Sequence, residues 1–338
     1  MYSILKNCID ELFEKGYVHN IAIRYGSPDD YHDFFRGTEN ELTENTNFDM
    51  ASVTKVICTG TLSLMALDEG KLRLEDRVAD YFPCSDEKKG LTIRHLLLHE
   101  IGFGYKPLFS MAEHPEDIVE TILHIPCEFP VGTEVEYSCP GYILLGKILE
   151  KIYKKQLNVL FDEKIAAPLG FRDTGFGKRK GAVINANETE ELRGIVNDRN
   201  CRFLNGVAGN AGIFSNLRDL TVFSRMCLQY GSPLIKSETF HAAVRNHTPA
   251  FALSRCLGFQ YVDAGYRQTG NLFPTGSFGH CGHTGQSVFF HPEKNFFAII
   301  LSDMTLSVSE EYDIVMNSRE KIHNAILADM RAEYREGV

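Results

Sequence analysis

Phe48-Asp49-Met50-Ala51-Ser52-Val53-Thr54-Lys55 is the stretch on which the reading of this chain turns. An irregular approach, Phe48 to Ala51, runs into an apolar segment whose spacing predicts a helix over 52–69, ended by Gly70. Residues three apart share a helix face, so the Lys55 amine is placed to reach the Ser52 hydroxyl. A lysine among apolar walls and other cations loses its proton readily enough to act as a base. The serine sits at a helix N-terminus, where backbone N–H groups favour developing negative charge. The S-x-x-K pattern occurs four times, at Ser3, Ser52, Ser85 and Ser318. Ser3 lies at the frayed chain end, Ser85 in a polar loop and Ser318 inside the last predicted helix; Ser52 alone opens a well-patterned helix.

A second chemical element is Glu136-Tyr137-Ser138-Cys139-Pro140-Gly141-Tyr142, on the approach to a predicted helix over 140–153. A tyrosine phenolate beside a lysine can serve a serine hydroxyl as general base; a tyrosine that merely packs the following helix is the alternative. The third element is Gly279-His280-Cys281-Gly282-His283, at the end of a predicted strand over 276–281. Its glycines are expected to let a substrate backbone approach an edge strand. A zinc site from His280, Cys281 and His283 is disfavoured, because neighbouring side chains on a strand point to alternate faces. No metal or other cofactor is expected.

Around these elements the pattern predicts a helix over 3–16 and a hairpin from strands near 18–25 and 31–37, turning at Gly26-Ser27-Pro28-Asp29-Asp30. Mostly helical sequence follows over 71–205, with helices near 92–99, 115–124, 140–153 and 156–167. A helix over 216–230 is expected with Ser215 as its N-cap. Strands near 257–263, 276–281 and 286–301 follow; the last segment turns at His291-Pro292-Glu293-Lys294-Asn295, and a final helix spans 307–333. The expected architecture is α/β (α+β): an antiparallel sheet flanked by helices, built from residues 1–70 and 206–338, with a mainly helical domain of residues 71–205 inserted and the active site between them.

The formal charge of −10 from 45 acids against 35 Lys and Arg repels phosphate backbones and anionic lipid headgroups, and no basic cluster offsets it. Neither nucleic acid nor membrane is an expected partner. The first 20 residues lack a basic start, a continuous apolar stretch and a small-residue cleavage site, and no apolar run is long enough to span a bilayer, so cytoplasmic residence is expected. Nine cysteines, odd in number and without C-x-x-C spacing, are expected as reduced thiols.

The order S-x-x-K, Y-x-C, H-x-G resembles the class C β-lactamase and low-molecular-weight penicillin-binding-protein family, which also holds esterases and D-aminopeptidases. Leu72 to Pro83 is similar to the family's "LDDPVSKYLP" stretch, Leu91 to His99 to "LTIRHLLTH", and Tyr137 to Gly146 to "YSNxGYxLLG". Gly206 to Ser215 resembles "GVAGHAGLFS", and Phe278 to Pro292 resembles "FGHTGFTGTSLWIDP". The resemblance implies Ser52 as acylated nucleophile, with Lys55 and Tyr137 moving its proton and later activating water. It implies an oxyanion hole from the backbone N–H groups of Ser52 and His283, and a role for Cys139, His280, Cys281 and Gly282 around the substrate. The register His283-Thr284-Gly285 also reads as an H-T-G triplet, but His280 has the family's separation from Pro292. His95 and His99 are read as structural. Cys139 stands for the usual Asn, Cys281 for Thr, Asn210 for His, and Asn197-Asp198 for His-Asp. These departures favour a small ester, amide or D-amino-acid peptide over a β-lactam as substrate. A catalytically impaired binding or sensor protein with the same fold is the alternative.

Overall fold

The computed structural model describes residues 3–38, 41–178, 181–183, 189–264, 266–304 and 309–336. Its strands are β1 (Asn20–Gly26), β2 (Tyr31–Gly37), β3 (Phe48–Asp49), β4 (Gly175–Phe176), β5 (Ile213–Ser215), β6 (Gln260–Tyr261), β7 (Phe278–Cys281), β8 (Ser287–His291) and β9 (Phe296–Ser302). Six of them form an antiparallel sheet in the order β2-β1-β9-β8-β7-β6, which joins the early hairpin to the late strands. The register pairs Ile21 with Ser302 and Tyr25 with Ala298.

Side chains alternate across this sheet. Ile21, Ile23, Phe289, Ala298 and Ile300 face a layer formed by the N-terminal helix (Ser3–Glu14) and the C-terminal helix (Ser309–Glu336), against Leu5, Ile9, Ile322 and Ile326. Ala22, Val288, Phe290, Phe297, Ile299 and Leu301 face the larger core, where the helix Leu217–Leu228 packs. Covered on both faces, β9 is buried along its whole length, as its continuous apolar run predicts. The Asp329 carboxylate accepts the backbone N–H groups of Ile4 and Leu5, satisfying donors that the first helical turn leaves over.

Most of the stretch 71–205 is helix and loop, with helices Ile93–Leu98, Ile118–His124, Cys139–Tyr153 and Leu157–Phe161 contributing to the larger core. Among the described residues, no helix is long and apolar enough to cross a membrane, and all nine cysteines are free thiols.

Several elements depart from expectation. The segment 52–69 is not one α-helix: a 3-10 turn over Ala51–Val53 leads into a π-helical turn over Lys55–Gly60, and the α-helix begins at Thr61. Gly60 packs directly on Gly258, where a Cβ would lie 2.9 Å from the Lys55 carbonyl oxygen and 3.2 Å from the Gly258 Cα, so this contact needs a bare backbone. The N-cap of Leu217–Leu228 is Asn216, whose side chain accepts the Asp219 N–H, whereas Ser215 ends β5 with its hydroxyl 2.7 Å from Thr174 Oγ1. A second sheet, β3-β5-β4, went unforeseen because strands of two or three residues carry no readable periodicity. The strand expected over 257–263 is only β6, since the chain doubles back through Gly258 to bridge Arg255 with Gln260. The last helix begins at Ser309; residues 307 and 308 lie outside the described residues.

Candidate active site

The short sheet sets the nucleophile turn. β3 pairs with β5, and Met50 donates its N–H to the Ile213 carbonyl at 2.9 Å. The Asp49 carboxylate accepts the Ala51 N–H at 2.8 Å and the Asn197 N–H at 2.6 Å. These contacts hold Ala51 at φ 43, a left-handed conformation unusual for a residue with a Cβ. Thr284 Oγ1 and Gln286 Nε2 both donate to the Asp49 carbonyl, at 2.8 and 2.5 Å, and so tie the turn to the loop after β7.

Ser52, Lys55 and Tyr137 meet at one point. Lys55 Nζ lies 3.0 Å from Ser52 Oγ and 2.6 Å from Tyr137 OH, and Tyr137 OH lies 2.5 Å from Ser52 Oγ. Lys55 also donates to the Asn210 carbonyl at 3.1 Å and approaches Cys139 Sγ at 3.5 Å. No ion pair of Lys55 occurs among the described residues, and burial lowers its pKa from the usual lysine value. Burial likewise pushes the Tyr137 phenol well above its usual value. The resting site is therefore a neutral phenol beside an amine inclined to be neutral. With the phenol pushed up by burial, the phenolate read from the motif is disfavoured in the resting site.

Tyr137 is held from behind. Its ring meets His99 at 4.9 Å between centroids, and the other side of the His99 environment is Tyr142, also at 4.9 Å. His99 ends its helix in the left-handed conformation, and its Nδ1 accepts the Ser138 N–H at 3.0 Å. His95 turns its Nδ1 to Thr92. Both histidines thus support neighbouring backbone.

Ser52 and Tyr137 open onto a cleft of about 640 Å³, which His280, Cys281, Gly282 and His283 also line. His280 Nδ1 lies 2.7 Å from the Cys281 carbonyl oxygen, and the ring is 5.9 Å from that of Tyr137. Burial holds its pKa well below the ordinary histidine value, with Lys55 and Arg255 adding to the effect. Thr284, the middle residue of the competing triplet, is buried on the Asp49 carbonyl, which leaves His280 as the motif residue beside Tyr137.

Two expectations are revised. Gly279 does not make room for substrate: a Cβ there would lie 2.1 Å from the Val288 carbonyl oxygen, so β7 needs glycine to pair closely with β8. β7 is also not an edge strand, since β6 pairs beyond it. At Gly282 a Cβ would lie 2.8 Å from the Met50 carbonyl oxygen, so this glycine seats the loop on the nucleophile turn. Cys139, expected against substrate, is 4% exposed and packs on Lys55 and Tyr137, away from the cleft lining.

Other cleft residues went unnoticed in the sequence. Arg319, from the C-terminal helix, donates to the Gly282 carbonyl through Nη2 and braces the loop after β7. Arg255 also lines the cleft, 4% exposed, with its guanidinium carbon 5.8 Å from the Tyr137 ring centroid. Its signal was a lone charge within Ala252-Leu253-Ser254-Arg255-Cys256-Leu257. Among the described residues, no group of three or more His, Cys, Asp or Glu side chains is placed to hold a metal ion.

A six-stranded antiparallel sheet between helical layers, with a Ser–Lys–Tyr cluster at the mouth of a cleft, defines a protein of the serine β-lactamase and penicillin-binding-protein class. The family profile described as beta-lactamase matches residues 29–314, and the chain belongs to that family. A protein of Escherichia coli K12, provisionally named a D-alanyl-D-alanine carboxypeptidase, is 29% identical over 313 residues, covering 78% of this chain and 70% of the relative. An N-acetylmuramyl-L-alanine amidase of Bacillus subtilis 168 is 27% identical over 307 residues, covering 78% and 69%. Among solved structures, EstCE1, described as a hydrolase with promiscuous acyltransferase activity, superposes with a TM-score of 0.76 at 17% identity, covering 95% of this chain and 98% of that one. The octameric penicillin-binding protein homologue from Pyrococcus abyssi gives 0.72 at 20% identity, covering 92% and 75%. These two likenesses concern the fold.

Proposed function

We propose that this protein is a serine hydrolase that forms an acyl-enzyme at Ser52 with a small ester, amide or D-amino-acid peptide, in the manner of an esterase, D-aminopeptidase or DD-carboxypeptidase. The observation that carries the reading is the shared hydrogen-bond contact of Ser52 Oγ with Tyr137 OH and Lys55 Nζ. As Ser52 Oγ bonds to the substrate carbonyl carbon, its proton passes to Tyr137 oxygen while the phenol proton passes to Lys55. The carbonyl π pair moves onto oxygen, where the backbone N–H groups of Ser52 and His283 are placed in this reading to receive it. Collapse breaks the bond to the leaving group, which takes the proton back through Tyr137. Water then attacks the ester by the same relay in reverse. The relatives named as carboxypeptidase and amidase support a hydrolytic role. Nine free thiols suit a reducing compartment, so we place the activity in the cytoplasm.

A fluorophosphonate probe and a nitrophenyl ester test the proposal. The wild-type protein is expected to be labelled at Ser52 and to turn over the ester, and Ser52→Ala to do neither. Equal turnover by Ser52→Ala refutes it. The packing of Cys139 on Lys55 favours a second reading, a binder that acylates without deacylating; stoichiometric labelling by a β-lactam with no turnover of any ester identifies that case.

A further inference from the structure

A second cavity, of about 560 Å³, lies away from the cleft, at the end of the large sheet where β8 turns into β9. The β1–β2 turn, the loop 272–274 and the C-terminal helix from Leu327 to Arg331 form its other walls. Arg331 stands twelve residues beyond the cleft residue Arg319 on that helix, about 18 Å along its axis, so the two cavities are separate.

Contacts within the protein already fix these walls. Asn324 Oδ1 accepts the Leu272 N–H at 3.1 Å, and a Cβ at Gly270 would lie 2.5 Å from the same oxygen, so the loop is seated on the helix. Ser277 Oγ donates to the Pro274 carbonyl at 2.7 Å. At the β8–β9 turn, His291 Nδ1 accepts the Lys294 N–H at 3.3 Å, and Asn295 takes φ 46. Phe296, the next residue, is buried with its ring 5.7 Å from that of Phe273.

Two chemistries meet in this space. Phe296, Leu327, Met330 and Pro274 give it an apolar lining, in a volume typical of a small-molecule site. Lys294 and Arg331 bring two exposed cations from separate elements, and neither has an ion-pair partner among the described residues. Asp30 is the acid of the described lining, which leaves an excess of positive charge there in a chain whose formal charge is −10. Two cations on different walls suit a tetrahedral dianion, which offers an oxygen to each. A planar carboxylate is satisfied by one arginine fork. The negative charge of the whole chain disfavours an anionic lipid surface as the source of the phosphate, so the occupant is a free molecule.

We propose that this cavity binds a phosphate monoester with an alkyl or aryl body, the phosphate between Lys294 and Arg331 and the body on Phe296, Leu327 and Met330. No step of the hydrolase reading enters this site.

Calorimetric titration of the wild-type protein with octyl phosphate, butyl phosphate, octanol and inorganic phosphate is the test. Octyl phosphate is expected to bind one to one, at least about tenfold more tightly than each of the other three. Lys294→Gln and Arg331→Gln are each expected to weaken it at least about threefold, and the double variant at least about tenfold, with ester turnover and melting temperature unchanged. Octyl phosphate binding that the double variant retains overturns the proposal. So does octanol binding as tight as octyl phosphate on the wild type, a comparison that decides alone should the double variant melt early. Binding to phosphatidic acid vesicles with none of soluble octyl phosphate overturns it as well.

Discussion

Tyr137→Phe separates the proton relay from the packing around it. The phenol oxygen is the only part removed. It sits 2.5 Å from Ser52 Oγ and 2.6 Å from Lys55 Nζ, while the ring that remains keeps its 4.9 Å contact with His99. Two hydrogen bonds are lost at about 1 kcal/mol each, so the fold should lose about 2 kcal/mol at most. The rate should fall much further. Positioned proton transfer contributes roughly 10²–10⁴ in rate, equivalent to about 3–5 kcal/mol of barrier. The direct 3.0 Å contact between Lys55 and Ser52 gives a fallback route, which places the expected loss in kcat/KM nearer 10². Nitrophenyl-ester hydrolysis followed across pH is the assay, with the melting temperature as control. The Lys55 pKa is depressed, so its base form grows as pH rises through that lowered value, and wild-type activity should rise with it. A Tyr137→Phe enzyme within about threefold of wild type at every pH would refute the relay.

Gly279→Ala should lower the melting temperature sharply, because its Cβ would collide with the Val288 carbonyl; an unchanged melting temperature with a raised KM would restore the reading of this glycine as a substrate channel. His323 is buried against Phe273 and Phe289, with its pKa pushed down to about 3 by burial and Arg319. The unfolded chain binds a proton there below about pH 6.5 and the folded one does not, so His323 contributes stability at neutral pH that is lost as pH falls from 6.5 toward 3. Urea titrations should show wild type losing about 2 kcal/mol more than His323→Gln between pH 7 and pH 5, and parallel losses would contradict this. Cys139→Asn should not raise acylation by a fluorescent β-lactam, since the side chain packs on Lys55 and Tyr137 away from the cleft lining; a raised acylation rate would restore the reading of this position as a substrate contact.

The architecture was legible where burial imposes a period. The apolar run of β9 follows from a sheet covered on both faces, and Ser52 and Tyr137 could be placed because each lies at the entry to a helical segment. What escaped reading depends on partners far along the chain. Ala51 adopts its left-handed turn because Asp49, Thr284 and Gln286 converge on it, and no local pattern carries that information. Asn216 displaced Ser215 as helix cap because Ser215 was needed by Thr174. The glycines of the third motif were assigned to substrate because the backbone each one accommodates, at Val288 and at Met50, belongs to other segments. Arg255 was passed over for the same reason: its meaning lies in the cleft it faces, and its neighbours in sequence are ordinary.

The pairing of β1 with β9 also bears on how the molecule is made. The hairpin is synthesised well before its partner strand, so one edge of β1 stays open until β9 is made. The nucleophile turn is in the same position, because Thr284 and Gln286, which tie it down, arrive just as late. A nascent chain therefore carries Ser52 before the residues that tie down its turn exist, and the site can be completed only after they are made.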